Sequence, residues 1–151
     1  MYAAYISDED ILFTRHYGKY EGAEACAAVL STLAANPNAA RLKAVCLNLS
    51  AVTSVTLEST DRAYASFFLQ KLASYNQGVS GMLFVRVFDP VNVVINELID
   101  ERDQRLNRHL FNLETVVNVH SVPEALEVLG LPADYRLEYP SGKSNAQVKP
   151  E

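Results

Sequence analysis

Two stretches, LKAVCLNLS (42–50) and MLFVRVF (82–88), are apolar at nearly every position, and a helical pattern separates them. Continuous apolar runs of strand length belong to strands buried on both faces, whereas a strand with one wet face alternates. A helix between two such strands makes a crossover, and crossovers join parallel strands. This pairing requires a sheet covered by helices, which fixes the class as α/β before any other residue is considered.

The flanking sequence extends the pattern. YAAYISDEDILFTRHYGKY places two apolar stretches on either side of Ser7-Asp8-Glu9-Asp10 and predicts an amino-terminal β-hairpin. EGAEACAAVLSTLAAN carries Cys26, Val29, Leu30 and Leu33 at helical spacing and stops at Asn36-Pro37. After the first apolar strand, the hydroxyl-rich residues to Thr56 read as a loop, and TLESTDRAYASFFLQKLASYNQG reads as a helix with Tyr64, Phe67, Phe68, Leu72 and Tyr75 on one face. Asp89-Pro90 closes the next strand. VNVVINELIDERDQRLNRHL then resumes the helical period through Val91, Val94, Ile95, Leu98 and Ile99 before turning strongly charged. TVVNVH is a further strand. SVPEALEVLGLP is a short helix, with Ser121 and Glu124 at capping-box spacing, Ala125, Leu126 and Leu129 as its apolar stripe, and Gly130 and Pro132 as its stop.

The expected architecture is one α/β domain over residues 1–132, a small mixed β-sheet with an amino-terminal hairpin and about four helices. The tail from Ala133 is rich in Pro, Ser, Gly and Lys. It reads as poor in packing residues and, over its last ten or so positions, as disordered.

Charge and composition exclude several functions. The net charge is −5 and the 13 Lys and Arg are scattered, so the basic footprint of a nucleic-acid binder is missing. No apolar run approaches the roughly 20 residues that span a bilayer, and the start, MYAAYISDED, has no secretory pattern, so a cytoplasmic protein is expected. Cys26 and Cys46 form no CxxC pair. His16, His109 and His120 lack the i, i+4 spacing of helical metal ligands, and neither GxGxxG nor GxxxxGK[ST] occurs, so no metal or cofactor is expected.

The initial hairpin, the strand VCLNLSAVT running into a polar loop and helix, the strand LFVRVFD and the closing SVPEALEVLG resemble the STAS superfamily over about residues 5 to 131. More narrowly they resemble its SpoIIAA-like branch of uncharacterised bacterial proteins. That resemblance implies a STAS/SpoIIAA-like sheet and a regulatory role with a protein partner. In the antisigma antagonists of the superfamily, an Asp-Ser-Ser-Gly stretch after this strand carries a phosphorylated serine. Here LNLSAVTSV matches the strand end, with Asn48 where aspartate is frequent and Ser50 in place, but TLEST replaces the phospho-acceptor motif. The matching register puts Leu57 or Glu58 at the acceptor position and leaves Ser59 as a displaced candidate.

In open α/β sheets, ligands collect beyond the carboxyl ends of parallel strands. That edge is expected to gather Asn48, Ser50, Thr53, Ser54, Thr56 and Ser59 from the first loop, Asp89 and Asn92 from the second, and His120 and Ser121 from the third. The same residue types also cap helices and make turns. Arg86 places a permanent charge in an apolar strand, on the face of Phe84 and Phe88. It needs an acidic partner from a neighbouring helix, or else an anionic ligand. The charged helix, with Glu101 and Arg105 at i, i+4, is either a solvated face or a homodimer surface.

Two functions follow. The favoured one is a non-enzymatic regulatory or binding module, engaging a protein partner or a small ligand through the strand-end edge. The alternative is a hydrolase or transferase pairing a strand-end serine with His120, which requires a hydrogen bond that no spacing guarantees.

Overall fold

The acidic turn at Ser7–Asp10 folds the amino terminus back on itself. Ser7 N–H donates to Ile11 O and Asp10 N–H to Ser7 O, at 2.9 and 3.0 Å, and Asp10 takes a positive φ of 64°, a conformation Asp tolerates better than most residues. The computed structural model describes residues 1–37, 39–56, 83–107 and 116–140, apart from the helical side chains at 22, 23, 26 and 102–107. The turn joins β1 (Tyr2–Ile6) to β2 (Ile11–Glu21) as the expected antiparallel hairpin.

Helix α1 (Gly22–Ala34) follows directly and ends before Pro37. A 3-10 turn (Ala39–Arg41) leads to β3 (Ala44–Thr56), which pairs in parallel with β2. Strand β4 (Leu83–Val87) lies parallel to β3, and β5 (Val116–Val119) lies parallel to β4. Between β4 and β5 runs α2 (Val93–Asn107), and α3 (Val122–Val128) comes after β5. The sheet order is β1-β2-β3-β4-β5, mixed only at the hairpin. Among the described residues there are three α-helices. The expected helix at 56–78 falls, beyond Thr56, outside them.

Each face of the sheet has its own core. Leu12, Val45 and Phe84 pack with Val29 and Leu33 of α1 on one side. Phe13, Cys46, Val85 and Val119 pack with Ala125 of α3 on the other. Further along β3, Leu49 and Val52 meet Ile99 of α2. The α3 ends behave as read from the sequence. Ser121 Oγ accepts the Glu124 N–H at 3.2 Å, while at the carboxyl end Leu131 N–H donates to Leu126 O and Gly130 takes φ +75°.

Two expectations need correction. The residues after Ser50 are not a loop: β3 continues through Thr56 beside Tyr17–Glu21 of β2. The tail is also not poor in packing residues over its first part. Tyr135, Leu137 and Tyr139 lie on the Phe13–Cys46 face of the sheet, so ordered chain runs past 132 to Pro140. Tyr5 explains the anchoring. Its ring stacks on Phe13 at 5.5 Å and meets Tyr139 edge-on at 5.2 Å, and its hydroxyl accepts the Glu138 N–H at 3.1 Å. Residues 141–151 lie outside the described residues.

Candidate functional site

The carboxyl end of the sheet is a step. Arg15, Asn48, Val87 and Val119 line up across β2, β3, β4 and β5, and β4 and β5 end there. Strands β2 and β3 continue as a two-stranded ribbon, β2 advancing from Arg15 to Glu21, about 20 Å at the usual rise per residue. Two register shifts in this ribbon, between Arg15 and Tyr17 and between Gly18 and Lys19, each insert one extra residue into β3. Such bulges bend a strand and re-aim its side chains.

Asn48 sits at the first of these irregularities and is buried. Its Oδ1 accepts both the Ser50 N–H at 3.0 Å and the Ser50 hydroxyl at 2.6 Å. The side chain therefore supplies an acceptor where the ladder is broken. Beyond it, Thr53 and Ser54 are exposed on the ribbon and Thr56 is half-buried at its end. These three stand along a strand and do not form a crevice wall with Asp89 and His120. Ser59 lies outside the described residues.

Asp89 and His120 do come together at the step, immediately beyond the bond from Phe88 N–H to Val119 O at 2.9 Å. Asp89 organises the turn into α2. Its Oδ1 accepts Val91 N–H at 3.0 Å, and its carbonyl accepts Asn96 Nδ2 at 2.8 Å and Asn92 N–H at 3.1 Å. His120 is exposed and donates its backbone N–H to Glu124 Oε1 at 2.9 Å. Among the described residues its imidazole makes no hydrogen bond to Ser50 or Ser54, so the arrangement that would activate a serine is not formed there.

Arg86 finds the helical partner its position demanded. It is 8% exposed, on a strand flanked by β3 and β5. Its Nη2 lies 2.8 Å from Asp100 of α2, its Nε donates to Asn118 Oδ1 of β5 at 2.8 Å, and the guanidinium lies 5.0 Å from the Phe88 ring centroid. A carboxylate, an amide and an aromatic face together replace the water this cation lost. The group is a structural tie between sheet and helix.

Two features escaped the sequence reading. Val91, Val93 and Val94, at the start of α2, are 82%, 57% and 69% exposed. The helical period had put Val91 and Val94 on the core stripe, yet only Ile99 of that stripe is fully buried, because Val91 precedes the helix and Val94 falls in a first turn that stands clear of the sheet. Arg15 is the other. Its guanidinium lies 4.8 Å from the centroid of Tyr139 and 5.6 Å from that of Tyr17, where the carboxyl-terminal segment crosses the sheet. The period-two spacing of Tyr135, Leu137 and Tyr139 was the available signal for that crossing.

No protein-family model matches the chain, and no curated protein matches it by sequence. Among solved structures, the anti-sigma factor antagonist SpoIIAA in its unphosphorylated form is similar, with a TM-score of 0.49 and 8% identity, over 86% of this chain and 98% of that one. No helix among the described residues is long and apolar enough to cross a membrane.

Proposed function

We propose that the chain is a non-enzymatic binding module whose protein partner docks on the stepped carboxyl edge of the sheet. The observation that carries this reading is the apolar cluster of Val91, Val93 and Val94, largely exposed beside the polar turn of Asp89 and Asn92. Three valines at one helix start lose favourable burial unless something covers them, and contiguous exposed apolar groups rimmed by polar ones are the usual form of a protein contact. Asp89 and Asn96 hold the turn rigid, so the patch is presented without a large ordering cost. A switch by phosphorylation forms no part of the proposal, since the acceptor motif is absent from the sequence.

Site-specific photo-crosslinking tests this reading. A benzophenone side chain at Val94, in cells that express the protein, is expected to give one discrete adduct that Val91→Glu abolishes. The same probe at Glu138, on the opposite face, is expected to give none. Equal and diffuse labelling from both positions would sink the proposal.

A further inference from the structure

The hydrogen bonds at the two ends of the hairpin fix which way β1 points its backbone. Tyr17 N–H donates to Met1 O at 3.0 Å and Ser7 N–H to Ile11 O at 2.9 Å, so the odd-numbered residues of β1 bond inward to β2. Antiparallel ladders alternate, and the even-numbered residues Tyr2, Ala4 and Ile6 therefore direct their N–H and C=O groups away from the sheet. Strand β1 is the sheet's edge, and among the described residues no strand lies beyond it.

Protein edges of this kind are normally protected by a charge, a proline or a bulge. Tyr-Ala-Ala-Tyr-Ile has no charged side chain and no proline, and its pairing with β2 shows no irregularity. Beside it lies a groove of about 320 Å³, with β1 on one wall, Ser31 and Thr32 of α1 and the following Ala35 and Asn36 on the other, and Pro140 of the carboxyl-terminal segment also in its lining. The two hydroxyls in that wall are already spent on Ala28 O, at 3.2 and 2.8 Å.

We infer that the occupant is a second copy of this chain, joined edge to edge through β1 into a continuous ten-stranded sheet. The strand is self-complementary in one register. With a two-fold axis through Ala4, perpendicular to the sheet, Ala4 faces its own copy and Tyr2 faces the copy's Ile6, and all three outward residues bond in about six intermolecular hydrogen bonds. The side chains agree with that register. Tyr2 and Ile6 form aromatic to β-branched cross-strand pairs on the groove side. On the other side Ala3 leaves room for the copy's Tyr5, and Ala4 keeps the axis clear. Charge agrees as well: each chain carries a net −5, but neither β1 nor these groove walls carry any of it, so two copies meet here without opposing like charges.

Light scattering of the full chain after size-exclusion chromatography, over a wide range of concentration, tests the inference. The native sequence is expected to reach the mass of two chains. Ala4→Pro removes an N–H that β2 does not use and is tolerated on an edge strand, so it is expected to hold the mass at one chain with an unchanged circular dichroism spectrum. Ala4→Lys, which sets two ammonium groups against each other at the axis, is expected to do the same should the proline variant fail to fold. Under mild oxidation Ala4→Cys is expected to form a covalent dimer. A single-chain mass for the native protein at every concentration, as when the chain's own residues 141–151 cover the edge, would overturn the inference. So would a dimer that survives both Ala4→Pro and Ala4→Lys.

Discussion

At the scale of single residues, Arg86, Asn48 and Tyr135 are each tied to a named partner, and each tie can be cut. Asp100 is half exposed while Arg86 is largely buried, so Asp100→Ala takes the carboxylate from a cation left with Asn118 and the Phe88 ring in little water. The loss is expected to be about 1–3 kcal/mol, less than for a pair buried on both sides, read as a lower midpoint in chemical denaturation. Asn48→Ala removes the acceptor of two bonds at the β3 irregularity and is expected to cost about 1 kcal/mol. Tyr135 gives a pH signature. Burial, followed by its 2.6 Å bond to Glu9, pushes its hydroxyl up to about 12. The folded state thus keeps this tyrosine neutral, and its contribution is complete below the unfolded value near pH 10 and lost as pH climbs towards 12. Glu9 acts in the opposite direction. The same bond holds its carboxyl below the usual value, so its contribution is present above the unfolded carboxylate range and fades in acid. Ultraviolet titration is expected to show tyrosines ionising in two groups, with Tyr135→Phe removing amplitude from the later one.

At the scale of elements, the boundaries that sequence reveals are those with local causes. Gly130 stops α3 because φ +75° is a conformation that side chains rarely adopt, and an added Cβ would meet nothing within 4 Å. Gly130→Ala is therefore expected to cost about 1–2 kcal/mol from backbone strain alone, measurable as a lowered Tm. The hairpin, α1, the apolar cores of β3 and β4, and α3 were all legible because turn chemistry, caps and hydrophobic period agree in each. The far half of β3 was not. Across residues 52–56 the hydroxyls of Thr53, Ser54 and Thr56 suggest a turn, although Val and Thr also favour strands. The two extra residues in this stretch destroy its period of two, so the alternation that would have revealed a strand is absent from the sequence. The clustering of Val91, Val93 and Val94 in solvent was hidden for a related reason. Periodicity reports which residues share a face of a helix, but it carries no information on which part of that face the sheet reaches.

At the scale of the whole molecule, the strands stand in the sheet in the order in which they occur in the chain. A long-range closure comes from the carboxyl-terminal segment, which returns from α3 to lay Tyr135 against Glu9 and Tyr139 over Arg15. Beneath it Cys46 is buried, and burial pushes its thiol up to about 12, which leaves it unreactive at neutral pH. Tyr139→Ala is expected to open this face and to speed modification of Cys46 by a thiol reagent at least several-fold, with peptide mapping to separate it from Cys26. An unchanged rate would mean that the segment does not control access. This arrangement has a consequence for biosynthesis. As the chain leaves the ribosome, each strand finds its neighbour already made, so the sheet can grow outward from the hairpin while translation continues. Its Phe13 and Cys46 face, covered in part by α3, nevertheless stays open until Tyr135, Leu137 and Tyr139 emerge. The newborn protein is most vulnerable to aggregation in that interval, and a chain cut short just before Tyr135 would yield a sheet that is built but unsealed.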